Sequence, residues 1–457
     1  SFLPVAMPMP EAADLLTPEL RQALHQELHA RPPQALVAPL AVTHWVQWID
    51  EAERAASRQY LSELMAGAGL PAPAPEAAFV QADLRAFDLR WELHTEFVSW
   101  TVPRALTAEE LIAFGHGEPP TAAEGVPAAW RRGMPGTPLT GVHLWALPRP
   151  RGDTAPLLRQ LFGEQGVVTG SRVISHSSDL HTDLRLRDDG CVRVLVLAGA
   201  AGADAVTPRR LGRLVQRLLE IETYRMAALL GLPVARRVSR WLAEGEAELA
   251  ALAEAVGQAR RADEPALLDR LTQLAARLES LYAGTHARFS ATAAYDDLVR
   301  QRLVDIAEVR IEGMQSLRDF MERRLTPAMA TCRSTDRRQA ALSARIARVG
   351  ELLRTRVEVE QQQSSRELLA AMNRRQGLQL QLQSTVEGLS VAAITYYVVG
   401  LIGYLAKGAH GLGWPLSVEV SMAAAVPVVA LIVWAGLRRL HHRIVDTDAS
   451  SPPSKEK

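Results

Sequence analysis

The stretch GLSVAAITYYVVGLIGYLA, residues 388–406, runs for 19 positions without a charge, and VSMAAAVPVVALIVWAGL, residues 420–437, does the same for 18. At 1.5 Å per helical residue each makes a rod of roughly 30 Å, the thickness of a bilayer's hydrocarbon core. Only Lys407 to Glu419 separates them, and Gly408, Gly411, Gly413 and Pro415 mark that segment as a turn. The two spans therefore read as a transmembrane hairpin. Arg374 and Arg375 precede it and Arg438, Arg439 and Arg443 follow it, whereas the turn carries one lysine and one glutamate. The positive-inside rule places both flanks, and so both termini, in the cytoplasm.

Working back from the hairpin, Asp336 to Ala406 contains no proline. Unbroken, it is one helix of about 70 residues and roughly 105 Å. Such a rod needs partners for its apolar stripe. Leu342, Ile346, Val349 and Leu353 repeat at 4-3-4 spacing, the seam of a coiled coil or bundle. Upstream, Val234 to Gly257, Glu264 to Tyr282 and Ala293 to Leu325 read as further helices, with Pro327 ending the last.

Before residue 234 the period changes. Thr17-Pro18-Glu19 is a helix start that runs to about Ala30. Leu40 to Ile49 suits a strand, followed by a charged helix from Asp50 to Met65. Phe79 to Val102 alternates, with Trp91, Leu93 and Phe97 on one face and Arg90, Glu92, His94 and Glu96 on the other. Gly115 to Pro138 reads as a long surface loop. Strands resume at Gly141 to Leu147, Gly170 to His176, Leu180 to Arg187 and Cys191 to Ala198, the last two joined by the turn Asp188-Asp189-Gly190. Thr207-Pro208 opens a helix that Gly231 and Pro233 end. The expected fold class is an α+β cytoplasmic domain with a mixed sheet (residues 1–233), a helical bundle and stalk (234–387), a two-helix transmembrane hairpin (388–437) and a basic cytoplasmic tail (438–457).

Lys plus Arg equals Asp plus Glu at 51 each, so no electrostatic footprint points to nucleic acid. The two cysteines, Cys191 and Cys332, have no CxxC or histidine neighbour in sequence, and neither a disulfide framework nor a metal site is expected. Ser1 to Pro10 lacks a basic n-region and does not read as a signal peptide. No GxGxxG, GxxxxGK[ST] or GxSxG fingerprint is present, and an enzyme is not expected. Glu92 and Glu96 flanking His94, together with His29 and Arg31, form a possible cytoplasmic polar site for a metal or a proton, against the plainer reading of a solvated strand face. His176, Asp179, His181 and Asp183 form a second polar group without a known ligand spacing. Glu220, Glu222 and Arg225 read as partners on a polar helix face.

Two resemblances add to this. Leu28-His29-Ala30-Arg31-Pro32-Pro33, Trp91 to Phe97 (WELHTEF), Gln216 to Arg225 (QRLLEIETYR) and Val386-Glu387-Gly388-Leu389-Ser390 are similar to a bacterial family known as domain of unknown function 3422, over nearly the whole chain. It implies no activity. More remotely, a long helix entering the first of two closing spans, with Leu389 to Ile394 opening that span and Arg438-Arg439 beyond the second, resembles the CorA-type magnesium channel superfamily, whose members are pentamers. That resemblance implies an inner-membrane homo-oligomer, five-fold, permeated by an ion. The inward positions of a five-fold first span would be Gln383, Val386, Leu389 or Ser390, Ala393, Tyr397, Gly400, Tyr404 and Lys407. The superfamily's Gly-Met-Asn signature is absent; Tyr404 to Ala409 stands in its place, and a ring of lysines there would repel a divalent cation. The expected partners are thus the lipid bilayer, copies of the chain and an ion; the sequence leaves any cofactor open. A non-conducting anchored scaffold or sensor is the competing expectation.

Overall fold

The structure, a computed structural model, describes residues 17–27, 32–113, 119–164, 168–173, 177–199, 205–258, 263–410, 415 and 417–448. It divides into two units, residues 1–350 and 351–457.

The first unit opens with α1 (Pro18–Glu27), whose Leu20 amide donates to Thr17 Oγ1, then β1 (Leu40–Trp48) and α2 (Glu51–Gly67). Asp50 caps α2 in a full capping box with Glu53, which satisfies two otherwise orphaned amides. The strands β2 (Phe79–Asp83), β3 (Asp88–Leu93) and β4 (Phe97–Ala105) form a meander. The alternating run of residues 84–97 is therefore not one extended face: the chain reverses at His94–Glu96, and Glu96 leaves the row that holds Arg90 and Glu92. Residues 106–136 carry α3 (Ala108–Ala113), a 3-10 turn (Ala122–Gly125) and α4 (Ala128–Gly133). Ala122, Ala123 and Val126 are buried, so the expected surface loop is in part a core segment. Then come β5 (Thr137–Pro148), α5 (Ala155–Phe162), β6 (Thr169–Val173), β7 (Ser178–Thr182) and β8 (Val192–Ala198).

With β9 (Val309–Arg310) these strands make one mixed sheet in the order β2-β3-β4-β1-β5-β8-β7-β6-β9. Among the named strands only β5 and β8 pair in parallel, and the other paired strands run antiparallel. Strand alternation sorts the residues of β1 between two covered faces. Ala41 and Trp45 join Trp91, Trp100 and Trp145 in a core with Leu61 and Met65 of α2 and with Leu161 and Phe162 of α5. Val42 and His44 face the other way, toward α6 (Pro208–Leu229).

Helix α6 lies close to the chain entering β1. A Cβ on Gly212 would sit 1.6 Å from the carbonyl oxygen of Gln34, and the Leu36 amide donates to the Pro208 carbonyl at 3.0 Å. A backbone oxygen cannot swing aside as a side chain can. Gly212→Ala is expected to lower stability by about 1–3 kcal/mol, as overpacking does. A thermal melt indistinguishable from the parent would show that the close approach does not exist.

Beyond α6, α7 (Gly231–Gln258) and α8 (Glu264–Asp305) pack with the start of α9 (Leu317–His410). Residues 282–293 do not interrupt α8, because Thr285, Phe289 and Thr292 keep its buried stripe in register. The chain turns at residues 306–316, where β9 joins β6, so no helix runs from Ala293 to Leu325. Pro327 lies inside α9. Met321, Leu325, Met329 and Cys332 are buried on both sides of it, and that continuous packing offsets the one amide bond the proline removes. Ser239 Oγ and Thr335 Oγ1 meet at 2.9 Å, and Arg333 donates to the buried Asp296 at 2.9 Å.

In the second unit, the end of α9 and α10 (Val418–Asp448) hold the two apolar stretches, both long and apolar enough to cross a membrane by length and composition. A Cβ on Gly403 would come 2.8 Å from Met422 Sδ, which marks where the two helices touch. Within one chain the outer surface stays uncovered: Leu389, Tyr397, Leu401, Tyr404, Leu431 and Ile432 are all exposed. Of the expected inward positions, Gln383, Val386, Leu389, Ala393, Tyr397, Tyr404 and Lys407 are exposed, whereas Ser390 and Gly400 are half-buried.

Candidate functional site

The face of the sheet under α6 encloses a cavity of about 50 Å³. That is room for a few waters or one small ion. Two cross-strand rows build its floor. Arg90 pairs with Thr101 and Thr101 with His44; Glu92 pairs with Ser99 and Ser99 with Val46. Leu219, Glu220, Thr223 and Tyr224 of α6 close the top.

His44 is held at both nitrogens. Thr223 Oγ1 donates its own proton to the Leu219 carbonyl at 2.9 Å, so it must accept from His44 Nε2 at 3.1 Å. His44 Nδ1 is then the unprotonated nitrogen and accepts from Thr101 Oγ1 at 2.7 Å. This neutral ring is fully satisfied. Burial pushes its pKa down to about 4, an effect that His94 and Arg90 reinforce and Glu92 partly opposes.

Glu92 meets Arg90 through two guanidinium nitrogens, Nε at 2.8 Å and Nη2 closer still, while Arg90 Nη1 donates to the Pro32 carbonyl at 2.7 Å. His94 Nε2 stands 3.8 Å from the second carboxylate oxygen. Burial acts to raise the Glu92 pKa, but His94 and Arg90 outweigh it and hold the carboxyl at about 2. The cavity wall is thus a fixed ion pair beside a neutral imidazole. It is not the solvated strand face that the alternation suggests, since Arg90 is only 7% exposed.

The structure brings Glu92 and His94 together at this cavity and sends Glu96 elsewhere. Glu96 accepts from Arg288 at 2.7 Å and from Tyr295 at 3.1 Å, a contact between the β3–β4 turn and α8. His29 and Arg31 lie outside the described residues, as does His176. Sequence reading missed His44, Thr101 and Thr223; the one available signal is the adjacent polar pair Thr43-His44 in a strand whose remaining residues, Gln47 apart, are apolar. Glu222 and Arg225 do pair, but beneath α6 rather than on a solvated face, with Thr140 Oγ1 donating to Glu222 at 3.0 Å. Glu220 accepts instead from Arg302 of α8.

On the opposite face of the sheet a wider cleft of about 570 Å³ is lined by His143, Arg131, Arg185, Arg193 and Asp189 among others. Cys191 lies beside it, and burial together with Asp189 pushes its thiol up to about 12, against the opposing pull of Arg193 and Arg131. What cavity and cleft can both do is hold a small charged or polar species.

A family described as "Protein of unknown function (DUF3422)" matches residues 17–444. No curated protein and no solved structure matches the chain.

Proposed function

The chain belongs to the DUF3422 family, and from that premise we propose that it works at a bacterial inner membrane as a homo-oligomer, five-fold as in the CorA-type channels. The hairpin forms an ion path and the cytoplasmic α+β body controls it. One observation carries this reading. Helix α9 is a single element that supplies buried residues such as Met321 and Leu325 to the body and exposed apolar residues such as Leu389 and Tyr397 to the first candidate span. An apolar surface left open by its own chain calls for lipid, copies of itself, or both. The arginines flanking the hairpin support the cytoplasmic placement of the body.

Lys407, exposed at the far end of the first span, favours a second reading in which the hairpin is only an anchor and the body a non-conducting sensor or scaffold. Reconstitution separates the two. In proteoliposomes the channel reading expects flux of a monovalent cation or anion down its gradient, altered by Lys407→Asn, from particles of five subunits by native mass spectrometry. A monomer, or an absence of flux under every gradient tried, would leave the anchored sensor.

A further inference from the structure

We propose that His143, Asp189 and Cys191 form a binding site for zinc or a similar borderline divalent transition metal, open on one side to the arginine-lined cleft. The sequence hides it, because His143 and Cys191 are far apart in the chain. Parallel pairing of β5 with β8 sets Val142 against Val192 and so brings the start of β8 alongside Gly141. One donor atom from each of the three residues lies within 4.8 Å of the others.

Each side chain is oriented by something other than a metal. A Cβ on Gly141 would lie 2.6 Å from Cys191 Sγ, so the missing side chain is the space the sulfur occupies. Asp189 accepts the Cys191 amide at 2.9 Å through Oδ1, which leaves Oδ2 turned to His143. His143 Nδ1 meets Thr43 Oγ1 at 3.0 Å, and that hydroxyl also accepts the Ala123 amide at 3.0 Å, which pins the ring. Such an outer contact is what metal-ligating histidines ordinarily have. The inward nitrogen, Nε2, stands 3.6 Å from Asp189 Oδ2. Tetrahedral zinc with ordinary bond lengths separates a nitrogen and an oxygen ligand by about 3.4 Å.

The donor set selects the ion. Magnesium and calcium take oxygen ligands, whereas one imidazole, one carboxylate and one sulfur suit zinc, cobalt or copper. Three protein ligands leave a fourth position, and it faces a cleft whose lining includes Arg131, Arg185 and Arg193. That position suits water or an anion. The site lies on the sheet face opposite α6 and is independent of any ion path through the hairpin.

The test is a cobalt titration of the full-length protein in detergent after chelator treatment. One Co²⁺ per chain should bind with a thiolate-to-cobalt charge-transfer band in the near ultraviolet and the strong visible bands of a tetrahedral ion, and Zn²⁺ should displace it. Cys191→Ser should remove the charge-transfer band, His143→Asn and Asp189→Asn should each weaken binding by about tenfold or more, and Cys332→Ser should change nothing. A parent protein without the band, or a band that survives Cys191→Ser, overturns the proposal. Should Cys191→Ser misfold, the parent spectrum and the surface substitution Asp189→Asn still decide it.

Discussion

Glu222→Ala is expected to destabilise the protein by about 3–5 kcal/mol, the cost of leaving one member of a buried ion pair alone. Glu222 is 2% exposed on α6 and accepts from Arg225 Nε at 2.9 Å and Nη2 at 2.6 Å. Its carboxylate also accepts the Thr140 hydroxyl of β5 at 3.0 Å, so the same group ties the helix to the sheet. Alanine strands a guanidinium whose side chain is only 15% exposed, and orphans a hydroxyl as well. Glu222→Gln keeps an acceptor for Thr140 and should cost less, about 1.5–3 kcal/mol. Replacing both partners, Glu222→Leu with Arg225→Met, should recover much of the loss, since no charge is then buried. Denaturant unfolding of the three variants measures this. A loss under about 1 kcal/mol for Glu222→Ala would mean that α6 does not lie on the sheet as described.

How far the sequence reveals this arrangement depends on the range of the interactions. Local chemistry is legible: Thr207-Pro208 opens α6, Asp50 starts α2, and the uncharged runs at 388–406 and 420–437 fall in two helices. Pro327 misleads because its intrinsic cost is local, whereas the burial of Met321, Leu325, Met329 and Cys332 that outweighs it is tertiary. The site is harder. Alternation reveals that Arg90, Glu92 and His94 share a face, but the identity of what covers that face comes from α6, more than a hundred residues away. His44 with Thr223 and Arg288 with Glu96 are brought together by helices packing on the sheet and its turn, and His143 with Cys191 by the parallel pairing of β5 with β8; no spacing along the chain encodes either.

The buried imidazole and carboxylate beneath α6 predict acid lability in two adjoining windows. His44 has its pKa lowered from 6.5 to about 4, so the folded state holds fewer protons than the unfolded chain between those values. Its contribution is therefore complete above pH 6.5 and is lost as pH falls toward 4. Glu92, lowered from 4.5 to about 2, contributes fully above pH 4.5 and loses that contribution as pH falls toward 2. At 1.36 kcal/mol per unit each window is worth about 3 kcal/mol. Urea midpoints followed by tryptophan fluorescence test the sign and the assignment separately. The parent's midpoint should fall between pH 6.5 and 4, and His44→Gln should flatten that fall while leaving the lower window in place; Glu92→Gln should do the reverse. A midpoint that holds steady from pH 6.5 to 4, or one that falls equally in His44→Gln, would remove His44 as the neutral keystone between Thr101 and Thr223.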